Sequence, residues 1–309
     1  MPPPMARPSY RRAIAIALFL CVAFLIGLEA ATRLGFQRVS RIEGRIASEY
    51  VAAKGIGATL SGQPPSILLL GNSLLLEALE YDTIQKTVAP EARLTRFVIE
   101  QTHYLDWHYG IRRLLAEGAR PDIMVLCLAP SHMIDSLTRG DYSSYYLFQM
   151  RDIAAVAGDA GYDLTRESSL VAAHYSLFYA GRAGLRGYLL NRVDAPYADI
   201  LHQFAFRPAR LPPGKEIERI VEERLRRLKD SVQGRTRIVL LLPPGFMAGE
   251  QEMREAAERT GITMLTPVHT GELPQSMFRD DFHVNEIGAT KFTAALAPPL
   301  KELAVSTKK

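Results

Sequence analysis

The chain has 309 residues, 48% hydrophobic and 23% charged, with a formal net charge of +4. That length allows one large domain or two ordinary ones and a core that needs neither disulfide nor metal. The composition excludes a disordered chain, collagen and a disulfide-rich secreted scaffold. The basic surplus is local: residues 1–54 hold eight basic side chains against Glu29, Glu43 and Glu49, and the other 255 residues carry 29 basic and 30 acidic ones. A near-neutral body with no nucleic-acid module gives no reason to expect a nucleic-acid partner.

Residues 1–12 read as a short basic tail carrying Arg7, Arg11 and Arg12. Residues 13–28 (AIAIALFLCVAFLIGL) carry no charge, and the apolar stretch extends to residue 32 with Glu29 near its end. Twenty helical residues rise about 30 Å, the thickness of a bilayer core, so 13–32 reads as a transmembrane anchor. A cleaved signal peptide and a buried core helix are the rival readings, although the apolar run is long for a signal and the residues around Ala30 and Ala31 fit a small-x-small cleavage site poorly. Basic residues flank the segment on both sides, so charge does not orient it. Cys21 and Cys127 sit in apolar runs and imply no disulfide.

Residues 33–65 read as a polar linker ending at Gln63-Pro64-Pro65. Beyond it, apolar β-rich runs at 66–70, 94–99, 122–128, 237–242 and 262–265 alternate with helical patterns at 104–117, 215–229, 249–260 and 286–303. Runs such as DIMVLCL have no polar face and predict strands buried on both sides, hence a parallel α/β sheet covered by helices. The last helix is expected to be disturbed at Pro298-Pro299. Between the third and fourth strands lies a helical insertion at about 131–211 with eight tyrosines: Tyr142, Tyr145, Tyr146, Tyr162, Tyr175, Tyr179, Tyr188 and Tyr197. These either pack on the sheet or wall a substrate pocket.

Ligands of open α/β sheets bind beyond the carboxyl ends of the strands. The first strand delivers Gly71-Asn72-Ser73 there, and Ser73 reads as a helix N-cap or as a presented nucleophile. Near the other end stands Asp280-Asp281-Phe282-His283-Val284-Asn285-Glu286-Ile287-Gly288. An Asp three residues before a His lets one turn hold the imidazole by its far nitrogen while the near nitrogen takes a serine proton.

The strand-Gly-Asn-Ser element resembles the first block of the SGNH (GDSL-like) hydrolase family, and Asp-x-x-His followed by Asn-x-x-Gly resembles its last. The resemblance runs from about residue 66 to 303. It implies a three-layer α/β/α, flavodoxin-like fold and Ser-His-Asp chemistry on esters. By that match Ser73 is the nucleophile, His283 the base and Asp280 its orienter, with Asp281 as a poorer substitute. Two departures stand out. Asn72 replaces the family's Asp, and the oxyanion-hole Gly and Asn are replaced within Glu100-Gln101-Thr102 and Ala129-Pro130-Ser131-His132. Asn72, Thr102, Ser131 and His132 are then the residues expected to help the Ser73 amide with the oxyanion or to hold substrate. Blurred middle blocks are similar to those of membrane-anchored SGNH-like proteins that move acyl groups on extracytoplasmic glycans. The expected function is thus an anchored serine esterase or O-acyltransferase outside the cytoplasm. It would need no cofactor or metal, and its partners would be the lipid bilayer, an acyl-ester substrate (glycan or lipid) and a membrane acyltransferase. The alternative is a catalytically silent SGNH-like binding or scaffold component of a polysaccharide acylation or export system. His103, His108, His174, His202 and His269 lack metal-ligand spacing.

Overall fold

The computed structural model describes residues 10–193 and 211–307. Arg7, Tyr197 and His202 lie outside them. Helix α1 (Tyr10–Ala31) is the apolar segment, and with its continuation to Phe36 it is long and apolar enough to cross a membrane. No residue of α1 is buried against the rest of the chain. The helical path continues through a π turn (Thr32–Phe36) and a last turn (Gln37–Val39), and breaks at Ser40.

The expected linker is largely a second helix, α2 (Arg41–Lys54), packed on the domain. Ser40 caps it by accepting the Glu43 N–H, 3.3 Å away. Ile46 and Ala53 are fully buried in the core, and charged side chains make a second set of contacts. Glu49 accepts the Val98 N–H and pairs with Arg96, and Arg45 donates to the Val98 carbonyl. Val98 belongs to an edge strand, whose exposed backbone groups α2 satisfies with side chains. A charged face serving a strand edge looks like a solvated linker in the sequence, because hydrophobic periodicity is the signal it lacks.

Five strands follow, β1 (Ser66–Gly71), β2 (Arg93–Val98), β3 (Ile123–Cys127), β4 (Arg237–Leu241) and β5 (Thr263–Leu265), all paired in parallel in the order β2-β1-β3-β4-β5. This is the flavodoxin-like order of doubly wound α/β domains, and it agrees with the fold class expected from the sequence. Side chains alternate between two cores. Leu68, Leu70, Met124 and Leu126 face one layer with α2, α5 (Tyr104–Ala116), α11 (Gly214–Val232) and α12 (Glu250–Thr260). Ile67, Leu69, Val125 and Cys127 face the other, made by α3 (Ser73–Ala78), α4 (Tyr81–Val88) and α13 (Glu286–Thr307). Helix α13 is continuous through Pro298 and Pro299, where a disturbance was expected. A proline inside a helix costs about 3 kcal/mol, and the burial of Leu296, Ala297, Leu300 and Leu303 against the sheet offsets it.

The described part of the insertion, to residue 193, folds as α6 (Pro130–Ile134), α7 (Asp141–Tyr146), α8 (Ile153–Ala160), α9 (Leu164–Tyr175) and α10 (Leu177–Val193). Tyr142 and Tyr146 enter the core, and Tyr142 donates to the buried Glu43 carboxylate of α2. Tyr145, Tyr146 and Tyr175 line a hollow of about 420 Å³ with Tyr50, Arg113 and Arg33, at the foot of α1.

Candidate active site

Gly71 ends β1 against β3 so closely that a Cβ there would lie 2.8 Å from the Cys127 carbonyl oxygen. This contact demands glycine and brings the chain off the sheet in register. Asn72 then caps α3: its Oδ1 accepts the Leu74 N–H at 3.1 Å, and its Nδ2 donates to the Thr102 carbonyl at 3.0 Å. An aspartate could make the first bond but not the second, so the amide ties the end of β1 to the loop after β2. Ser73 is the first residue of α3, half-buried, with its N–H outside the intrahelical ladder.

The partner turn is built by its own backbone. Phe278 and Val284 form an antiparallel bridge, and the Arg279 N–H donates to the His283 carbonyl. Asp280 Oδ1 accepts the N–H groups of Phe282 (2.8 Å) and His283 (2.7 Å). Asn285 Oδ1 accepts the N–H groups of Ile287 and Gly288, capping α13. A Cβ at Gly288 would lie 2.7 Å from the Met277 carbonyl oxygen, which explains the Asn-x-x-Gly spacing. The turn is thereby fixed against the start of the last helix.

The two elements meet. His283 Nε2 lies 3.0 Å from Ser73 Oγ, and His283 Nδ1 lies 3.0 Å from Asp280 Oδ2. This network selects the tautomer in which Nδ1–H donates to Asp280 and Nε2 accepts from the serine hydroxyl. Burial raises the Asp280 carboxyl, but the His283 N–H, the His283 ring and the Phe282 N–H outweigh it and hold the group below the usual carboxylate range. The Asp280 side chain is 45% exposed and that of His283 23%, so the trio opens to solvent. The exposed Asp281 makes none of these bonds.

The other expected donors divide. Thr102 is fully buried; its hydroxyl donates to the Ile99 carbonyl and accepts from Trp107 Nε1, leaving no proton for a substrate. Asn72 is spent likewise. Ser131 Oγ lies 3.4 Å from Met247 Sδ. His132, on α6 after β3, is half-buried, and burial followed by the charges of His103 and His283 pushes its imidazole down to about 4. It is therefore neutral at neutral pH and carries one N–H.

Three features escaped the sequence. Gln101 has φ +60°, the left-handed region that favours glycine, at the place where the family resemblance expects one. His103 stands with its ring 5.1 Å from that of His132 and its Nε2 3.9 Å from Asp135 Oδ2. Its place just past β2 was a signal for it. Phe246, from the Pro-Pro-Gly-Phe loop after β4, packs on Phe278 with centroids 4.6 Å apart. His108 is a core residue, stacked on Tyr104. Among the described residues no cluster of His, Cys, Asp and Glu is fit to hold a metal.

No protein-family model matches the chain, and no curated protein matches it. Among solved structures it is similar to TesA at 12% identity and a TM-score of 0.37, covering 77% of this chain and 99% of that one. It is similar also to a Streptococcus pneumonia protein described as a platelet activating factor, at 12% identity and a TM-score of 0.37, covering 93% of this chain and 99% of that one.

Proposed function

We propose that the chain is a membrane-anchored, SGNH-type serine esterase or O-acyltransferase of the cell envelope, with its α/β domain outside the cytoplasm. The observation that carries this reading is the contact of Ser73 Oγ with His283 Nε2 at 3.0 Å, backed by Asp280 on the far nitrogen. That distance lies within hydrogen-bond reach for general-base catalysis. It counts against the catalytically silent alternative, which a separation beyond about 4 Å would have favoured.

In the proposed reaction His283 Nε2 takes the Ser73 proton as Oγ attacks the acyl carbonyl, and Asp280 stabilises the imidazolium that results. The Ser73 N–H and an N–H of His132 receive the oxyanion. Collapse returns the proton from His283 to the leaving alkoxide, leaving an acyl-serine. Water or a sugar hydroxyl then attacks that ester with His283 again as base.

The test is release of p-nitrophenol from p-nitrophenyl acetate by the full chain in detergent, with and without a glycan acceptor. Wild type is expected to show turnover and partition of the acetyl group between water and acceptor. Ser73→Ala and His283→Ala are expected to lose it. Turnover unchanged in Ser73→Ala would sink the reading.

A further inference from the structure

We propose that the Ser73 end of the domain faces the bilayer from which α1 emerges, and that its substrate is an ester held in that bilayer. The inference rests on the anchored-esterase reading above and adds where the substrate resides.

The foot of α1 is mounted on the domain rather than tethered to it. Glu29 accepts the Ser176 hydroxyl (2.7 Å) and the N–H groups of Leu177 (2.9 Å) and Phe178 (3.1 Å), and so caps α10. Arg33 donates to the Tyr175 carbonyl at 3.2 Å. Phe36 is buried, and a Cβ at Gly181 would lie 3.8 Å from its ring. The start of α10 thus sits level with the end of the apolar span.

The chain then enters α2 at the carboxyl end of the sheet. Arg45, in the first turns of α2, bonds the Val98 carbonyl and Glu100, both at the carboxyl end of β2. The far end of α2 leads to Ile56, whose carbonyl accepts the Arg120 N–H just ahead of β3. Helix α2 therefore runs antiparallel to the strands, with its first residues beside the loop that holds Gln101 and Thr102. Asn72, next to Ser73, is bonded to that same Thr102. Nine residues separate Phe36 from Arg45, helical on either side of the extended Ser40, a path of about 16 Å. The exit of α1 and the Ser73–His283 pair thus share one end of the domain.

The surface at that end suits a lipid interface. Leu34, Val39, Ile42 and Tyr175 are more than half exposed at the foot of α1, beside the exposed Arg38 and Arg41. Aromatic and basic side chains at this level are the usual membrane-interface residues. Phe246 is 42% exposed and packs on Phe278, two residues before Asp280, and Ile287, four residues past His283, is 60% exposed. An apolar rim of this kind suits the acyl chain of an amphiphile better than a free sugar.

The test uses the full chain in phosphatidylcholine/phosphatidylglycerol vesicles, with Cys21→Ser removing the exposed thiol; Cys127 is buried. A fluorophore is placed at Ala248→Cys, after β4, or at Arg235→Cys, before it, and transfer to a headgroup-attached acceptor is measured. A five-residue strand separates the labels by about 17 Å, and transfer from the Ala248 label is expected to be at least about threefold stronger. Equal transfer, or the reverse order, overturns the proposal. In the second arm a fluorogenic long-chain ester in the same vesicles is compared with p-nitrophenyl acetate in solution. Glu29→Ala/Arg33→Ala, which releases the mount, is expected to lose about tenfold on the vesicle ester only, as effective concentration falls. An equal loss on both esters, or hydrolysis of the soluble ester alone, also overturns the proposal. If neither ester reacts while the Ala248 label stays nearest the bilayer, the Ser73 reading falls and the seating stands.

Discussion

Replacing Asp280 by asparagine separates the charge of this residue from its structural work. Asp280 Oδ1 holds the turn through the N–H groups of Phe282 and His283, and an asparagine oxygen can keep both bonds. The amide nitrogen then replaces Oδ2, 3.0 Å from His283 Nδ1. A unit charge pair at that distance is worth about 5.5 kcal/mol at an effective dielectric of 20 and about 1.4 kcal/mol in bulk water. With the side chain 45% exposed, the lower part of that range applies, about 2 kcal/mol. The amide also donates where it should accept, which favours the tautomer whose Nε2 cannot take the serine proton, and holding the right tautomer against an unpaired donor costs about 2 kcal/mol more. Together these predict a fall of about 10³ in kcat/KM. The assay is hydrolysis of p-nitrophenyl acetate, with a thermal melt as control that the turn survives. A loss below about tenfold with an unchanged melt would show that Asp280 orients nothing.

Three further outcomes follow from the same geometry. His132→Ala should lower kcat by about 10²–10³ with little change in KM, and His132→Asn should recover much of it, since the oxyanion needs a neutral donor rather than a histidine; equal kcat in all three would remove His132 from the site. Asn72→Asp should destabilise the fold by about 2 kcal/mol in chemical denaturation, because a buried carboxylate would face the Thr102 carbonyl; wild-type stability would contradict that tie. Asp106 is wholly buried beneath the His103 and Arg139 N–H groups, and burial pushes its carboxyl up to about 7 against 3.8. The folded state then binds more protons than the unfolded one between those values, so this residue's contribution to stability falls as pH rises from about 4 to about 7. The advantage of wild type over Asp106→Asn in thermal melts should shrink across that window, and a difference independent of pH would show that Asp106 is ionised throughout.

The central strands β1, β3 and β4 were legible because each is a buried run without a polar face, and the observed bounds of all five strands differ from the expected ones by about a residue. Ser73, Asp280 and His283 were legible for another reason: two short local motifs fix their backbones, and the topology only has to bring two loops to one sheet edge. What was not legible depends on pairing across the chain. Helix α2 hides its packing in Arg45 and Glu49, which bond an edge strand about 50 residues away. Thr102 looks like a free donor until Trp107 and the Ile99 carbonyl take up its hydroxyl. The left-handed Gln101 has no signature at all, because glycine is the residue that would announce it. The role of Glu29 as a cap for α10 is likewise set by a contact nearly 150 residues distant.

Activation of Ser73 as a nucleophile is tested by incubating the full chain with a fluorophosphonate, followed by peptide mapping in the mass spectrometer. One adduct is expected, on Ser73, formed rapidly in wild type, slowed strongly in His283→Ala and absent in Ser73→Ala. An unlabelled Ser73 in wild type, or an adduct formed equally fast without His283, would contradict it.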